Sequence, residues 1–441
     1  MARTLYASLQ SSSIDFGTLH KNYHPVLALV KELIGTIPNC DPILEIWPIG
    51  FRTYNLLVPN LLNLPNTLFG SKKLKTSLGL ALYSSSKAAQ CPYCTAHTCS
   101  FALRRGLKAE SIGGNRTPGE QAVVVLAEGM SEIPANITAA QCQALTEYFS
   151  AEEISSIVFG IGLMGFLNKF MNGMGVELEQ DAINDVGALL SENGWNPRQH
   201  VSGKMDTTKS TLPRTDSLLT YLKVVKQAPG AIRLEKEWTR GVPDSYPAAS
   251  DYLKKHTGYA FPILKHISRK RVIRALTTVL RDNLDKEKTV VGLGSKCLAA
   301  YVFAAVVSNN ELKTATRAIA KHLAPEFGDD VYEQLDKVAQ EEIPNDMDEA
   351  NKIITHLLSL PNLSRKDGAV VLLARSASTS PTMVNDTVIE ICTAELTPAS
   401  IVEIMVWLSV QQLLSRLGSY YTANGSMAEF ILGKPYRVLQ Q

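Results

Sequence analysis

The 441-residue chain carries almost no charge excess: 44 Lys and Arg stand against 42 Asp and Glu, a net charge of +2. A nucleic-acid binder, or a protein held to acidic lipid by a polybasic surface, needs clustered surplus Lys and Arg, so neither is expected. Long apolar runs are lacking as well. The two best candidates for a membrane span are cut by Ser155 and Ser156 in one case, and by Ser295 and Lys296 in the other. Neither reaches the roughly 18 uninterrupted apolar residues of a span, and no membrane segment is expected. The first residues, MARTLYASLQSSS, have no apolar core of the secretory kind. They are Ser-rich and free of acids until Asp15, so the expectation is a cytoplasmic protein, with organellar targeting left open. Cysteine is sparse and odd in number, at seven, and Cys40, Cys142, Cys297 and Cys392 stand alone. That is no secreted disulfide framework, and these four read as core residues. Alternating strand patterns bounded by turn dipeptides are scarce too.

Helical signals fill the space instead, on a composition of 45% hydrophobic and 20% charged residues that suits two or three domains. Thr117, Pro118 and Glu120 form a helix start: an N-cap, a proline at the first helical position and a reciprocal acid. Ser150 and Glu153 read as a capping box, followed by Ile154, Ile157, Ile161 and Met164 at helical spacing. The fold class expected is all-α.

An internal repeat organises the chain. Ala122-Val-Val-Val-Leu-Ala127 reappears as Ala369-Val-Val-Leu-Leu-Ala374, Thr117 and Glu120 reappear as Ser364 and Asp367, and Ser150 as Thr397, all in one register. A further match pairs Lys75-Thr76 and Gly79-Leu80 with Lys288-Thr289 and Gly292-Leu293 at a shorter spacing. The second copy therefore holds extra residues, expected within Lys313 to Leu360. Residues 200–217 are polar and aperiodic and read as a linker. Two tandem helical domains result, 1–205 and 216–441, forming a pseudo-dimer, with a short tail from Thr422.

The concentrated chemistry lies in Cys91-Pro-Tyr-Cys94-Thr-Ala-His97-Thr-Cys99. Pro92 places a helix start at Cys91, where unpaired N–H groups and the helix dipole favour a thiolate below the ordinary pKa of about 8.5. His97, three residues after Cys94, shares its face. Two thiols and a base are the parts for peroxide reduction or dithiol exchange. The same spacing also suits half a zinc site, although four ligands crowded on one helix cannot easily surround a tetrahedral metal. Cys99 reads as a packed small hydrophobe. Lys87 and Arg104-Arg105 read as a solvated face or as cations that depress a thiol pKa.

These residues resemble the alkylhydroperoxidase D-like and carboxymuconolactone decarboxylase superfamily, whose signature is a helix bearing C-x-x-C, a histidine shortly after and a closing glycine, here Gly106. The resemblance runs from Leu74 to Glu179 through Gly119–Glu128, Phe149–Ile154 and Gly165–Phe170, and returns at Tyr246–Leu284 and at residues 364–417. It implies an all-α fold and a thiol-dependent peroxidase or disulfide oxidoreductase acting on alkyl hydroperoxides. Cys94 would attack the hydroperoxide, Cys91 would resolve the sulfenic acid to a disulfide, and His97 would be the base or proton shuttle. The implied partner is a dithiol reductant, a lipoyl protein or thioredoxin-like; no cofactor or metal is implied. The chain departs from the family in two places. The usual histidine position is Thr98 here, and the relay glutamate falls at Gly79, which shifts thiol activation to the helix terminus, His97, and Tyr93 or Lys87. Counted from the shared glycine, Ala304, Val307 and Asn310 fall opposite Cys91, Cys94 and His97, so the second copy has lost the dithiol and serves as a structural partner in a homo-oligomer, a dimer or trimer. Two other functions compete: a lactone decarboxylase or isomerase, which uses no cysteine pair, and a non-catalytic redox-sensing or scaffold protein.

Overall fold

A computed structural model describes residues 3–202 and 218–427. Most of the expected linker and of the tail lies outside them. The described residues form α-helices and short 3₁₀ turns, with no strand among them, as the all-α expectation requires.

Twelve helices position the site. They are α1 (Phe16–Ile34), α2 (Pro48–Leu61), α3 (Lys72–Ala88), α4 (Pro92–Arg104), α5 (Pro118–Ser131), α6 (Ala151–Met174), α7 (Leu218–Trp238), α8 (Lys270–Asn283), α9 (Leu293–Val306), α10 (Asn310–Leu323), α11 (Arg365–Ser378) and α12 (Pro398–Ala423). The capping signals act as read. Thr117 with Glu120, Ser150 with Glu153 and Ser364 with Asp367 are complete capping boxes, and the Thr397 side chain accepts from the Ser400 N–H. Helices α5 and α11 thus begin at matched residues and have the same length of 14.

Contacts repeat with the caps. Helix α3 packs on α4, α5 and α6, and α9 packs on α10, α11 and α12. The extra residues of the second half sit where expected: residues 105–117 join α4 to α5, but 324–364 join α10 to α11 and carry the helices Asp329–Val338 and Met347–Leu358. The match of Lys75–Leu80 with Lys288–Leu293 does not hold. The first segment lies inside α3, whereas Lys288 to Gly292 form the turn before α9, with Gly292 in the left-handed region at φ +93°. The registers differ because the helix starts differ. Cys91 is the N-cap of α4 and Asn309 that of α10, so Asn309, Leu312 and Ala315, and not Ala304, Val307 and Asn310, stand opposite Cys91, Cys94 and His97.

The longest shared contact runs between α6 and α12. By length and hydropathy α6 could cross a bilayer, yet 89% of its apolar window is buried inside the fold, so it is a core helix here. Its approach to α12 depends on two glycines. A Cβ at Gly162 would stand 2.6 Å from Leu417 Cδ2, and one at Gly165 would stand 2.9 Å from Arg416 Cδ and 3.0 Å from the Gln412 carbonyl. Helices α2 and α8 also pack on each other, and α7 lies along α1 with Lys223 Nζ 3.3 Å from Glu32 Oε1. A buried ion pair, Lys296 Nζ to Glu403 Oε1 at 3.1 Å, sits between Trp47 and Trp407, and Glu403 Oε2 also accepts from the N–H groups of Val290 and Val291.

The crossing gives a stability prediction. Gly165→Val should lower unfolding free energy by about 1–3 kcal/mol, because overpacking against a backbone carbonyl exceeds the gain in helix propensity. Gly418→Ala, where the new Cβ meets nothing nearer than Glu311 Oε2 at 3.8 Å, should be neutral or stabilising by up to about 1 kcal/mol. Urea titration of both variants checks the pair.

Candidate functional site

Helices α3 and α4 fold back on one another through a turn in which Gln90 takes φ +49°. Cys91 then caps α4 in an extended conformation, Pro92 takes the first helical position, and Cys94 falls in the first turn. Both thiols are reduced and buried, Cys91 fully and Cys94 with 3% of its surface exposed. They are near neighbours, and Cys91 acts to raise the Cys94 pKa. The close α3–α4 contact explains the glycine at position 79. A Cβ at Gly79 would stand 2.8 Å from both Cα and Cβ of Ala102, so no carboxylate can occupy that position without driving the helices apart.

The carboxylate comes from elsewhere. Glu179 lies between α6 and the helix Gln180–Glu192, and its side chain turns inward. Its Oε2 lies 2.6 Å from His97 Nε2. Its Oε1 accepts from the Tyr93 hydroxyl at 2.8 Å and from the Asn39 N–H at 2.5 Å. Burial alone would raise the Glu179 pKa, but the charge and hydrogen bond of His97, with the Asn39 N–H, hold it below the ordinary value. Tyr93 moves the other way: burial and the neighbouring carboxylate push its phenol well up, so it stays a donor. Thr98 donates its hydroxyl to the Cys94 carbonyl at 2.6 Å and is spent on the helix backbone.

The thiol electrostatics overturn one expectation. The Cys94 thiol is pushed well above its ordinary pKa, by burial first and by Cys91 and Cys40 next. The low dielectric outweighs the helix terminus. One cation opposes this. Arg416 of α12 donates to Ser85 Oγ at 2.6 Å and to the Ile161 carbonyl at 3.3 Å, and its field lowers the Cys94 pKa. Burial brings Arg416 itself down to about 9, and both thiols act to raise it. The cations named from sequence are not in place for this. Lys87 is exposed, while Arg104 and Arg105 are buried: Arg104 donates to the Glu32 carbonyl and Arg105 stacks 3.8 Å from the Phe101 ring centroid.

Cys94, His97 and Tyr93 face a common cavity of about 100 Å³ whose remaining wall is largely aliphatic, including Val30, Leu33, Leu163 and Met164. Cys91 is not on that wall. The structure therefore brings together Cys91, Cys94 and His97 with Tyr93, which the sequence also named, and adds Glu179 and Arg416. Cys40, Cys99, Cys142, Cys297 and Cys392 are buried, as core residues should be. Among the described residues no cluster of three His, Cys, Asp or Glu could hold a metal ion. Arg416 was legible only as one charge inside the apolar run Leu413-Leu-Ser-Arg-Leu417. Glu179 was the acid of the Val-Glu-Leu-Glu segment after α6. No protein-family model, curated protein or solved structure matches this chain.

Beside the site, His200 is held neutral. Its Nδ1 lies 2.6 Å from the Val176 carbonyl and its Nε2 3.1 Å from Asn172 Oδ1, and burial lowers its pKa from 6.5 to about 4. Between those values the unfolded chain binds a proton that the native chain does not, so this group's contribution to stability is full above pH 6.5 and declines as pH falls toward 4. The decline amounts to roughly 3 kcal/mol. A His200→Gln variant should be less stable than the parent at pH 7 and should lack this segment of pH dependence. Urea midpoints of both proteins from pH 7 to pH 4 make the comparison.

Proposed function

We propose that the protein is a thiol-dependent peroxidase of the alkylhydroperoxidase D-like type, working through Cys94 and Cys91. The observation that carries this reading is the position of the two thiols: they are near neighbours, and Cys94 faces an apolar cavity shared with His97, itself paired with Glu179, while Cys91 is not on that wall.

The residues then take these roles. His97 accepts the Cys94 proton, and Glu179 stabilises the imidazolium that forms. The Cys94 thiolate, beside Arg416, attacks the terminal oxygen of R–OOH. The O–O bond breaks, and the leaving alkoxide takes the proton from His97 to become R–OH, leaving Cys94 as a sulfenic acid. Cys91 Sγ attacks Cys94 Sγ, a disulfide forms, and the oxygen departs as water with the Cys91 proton. A dithiol reductant of lipoyl or thioredoxin-like kind then returns both thiols by exchange and is itself oxidised. The burial-raised thiol fits this order, in which thiolate forms within the His97–Glu179 pair rather than standing free.

The second half is read as a degenerate copy completing a pseudo-dimer, with domains at 1–205 and 216–441. It contributes Arg416 in place of a neighbouring subunit, and a homo-oligomer of such chains follows from the same helical faces. Reduced thiols suit a cytoplasmic or other reducing compartment.

Stopped-flow reduction of an organic hydroperoxide tests the assignment. Cys94→Ser should abolish turnover, and Cys91→Ser should consume one equivalent and stall as the sulfenic acid. Indifference of peroxide consumption to both changes would overturn the proposal. Glu179→Gln should lower kcat/KM by about a hundredfold or more, the usual range for loss of acid–base function. Arg416→Met should slow Cys94 alkylation at pH 8 by about tenfold, as expected when a charge-assisted term near 1.4 kcal/mol is removed. Rates measured by mass spectrometry of the labelled peptide would show it.

A further inference from the structure

We propose that the substrate is a long-chain aliphatic acid bearing its hydroperoxide along the chain, with the carboxylate held by Arg274 and the chain lying in two adjoining cavities that lead to Cys94. This rests on the peroxidase reading above.

The cavity beside Cys94 does not stand alone. A larger one, about 330 Å³, lies between α1, α2, α7 and α8, and Val30, Leu33, Val58 and Leu64 line both. Four aliphatic side chains are thus a common wall, so the two spaces adjoin. Together the two spaces exceed what a small hydroperoxide needs and reach the range of pockets that hold drug-sized ligands. Ile232, on the wall of the larger cavity, is 45% exposed, so that cavity opens at the surface.

Charge on its wall is uneven. Lys236, Arg271 and Arg274 face one carboxylate, Glu235. Arg271 is committed, to Glu235 Oε2 at 3.0 Å and to the Leu64 carbonyl at 2.7 Å. The Arg274 side chain has no hydrogen-bond or ion-pair partner among the described residues, and its Nε is shielded from solvent. A shielded guanidinium N–H without an acceptor is unfavourable. A carboxylate is the group that satisfies it, by paired, charge-assisted hydrogen bonds. An anionic head beside Arg274 and Lys236, an apolar chain, and a reactive group deep against Cys94 together describe an amphiphilic hydroperoxy acid. Its reduction yields the corresponding hydroxy acid and water by the balance given above.

Binding of an unoxidised acid tests this without catalysis. Calorimetric titration of the full chain with oleate below its micelle concentration should show saturable binding at one site. Arg274→Gln should weaken it about tenfold, while methyl oleate, which lacks the charge, should bind parent and variant alike. Saturating oleate should also slow maleimide labelling of Cys94 in the parent protein, since the chain covers the thiol. Absent oleate binding, binding unchanged by Arg274→Gln in a variant with parental circular dichroism, or unprotected Cys94 would each overturn the proposal. If tert-butyl hydroperoxide is reduced through Cys94 while oleate fails these tests, the peroxidase reading stands and this one falls. Oleate binding without any peroxide turnover would leave the acid site and remove the peroxidase.

Discussion

The close crossing of α6 and α12 sets the conditions for everything at the site. Where Gly162 and Gly165 leave the α6 surface bare, α12 approaches until Leu417, Arg416 and the Gln412 carbonyl rest against the α6 backbone. At that separation the Arg416 guanidinium passes α6 and reaches Ser85 near the end of α3, bonding the Ile161 carbonyl on the way. A buried guanidinium is tolerable only with acceptors in reach, and those acceptors exist only because the backbones are close. The same geometry makes a residue of the second half the cation that faces the thiols of the first.

Around those thiols the low dielectric acts on each group separately, and the outcome depends on what each one touches. Cys94 has another thiol as its near neighbour and is driven toward the neutral form. Glu179 is nearly as shielded, yet it stays a carboxylate because His97, Tyr93 and the Asn39 N–H all meet it. His200 has only neutral partners and stays neutral. One negative charge is therefore fixed on Glu179 beside His97, and one positive charge, on Arg416, acts on the thiols.

Local signals were the legible part of the sequence. The capping boxes at Thr117, Ser150 and Ser364 and the start of α4 at Pro92 follow from interactions within four residues, and the structure keeps them. The repeat was legible where whole helices match in length. It misled at Lys288, where a lysine–threonine and glycine–leucine similarity joined a helix interior to a turn. Glu179 and Arg416 are a different kind of residue. Their roles depend on contacts across 82 and 331 positions of chain, and no local pattern encodes such a meeting. Arg104 and Arg105 show the same limit from the other side: charged residues at a helix end read as solvated, but tertiary packing buries them.

Helix α12 has two working faces. Trp407, Gln411, Leu414 and Gly418 on one face line a cavity of about 60 Å³ in the second half, together with Asn309, Leu312 and Ala315 near the start of α10. Those three hold the positions relative to the start of α10 that Cys91, Cys94 and His97 hold relative to the start of α4. Gln412 and Arg416 lie on another face of α12 and look back toward the first half. Arg416 is thereby oriented to the cysteine pair of the first half, which lies beside one apolar cavity with the Glu179 carboxylate and the Arg416 guanidinium placed around it.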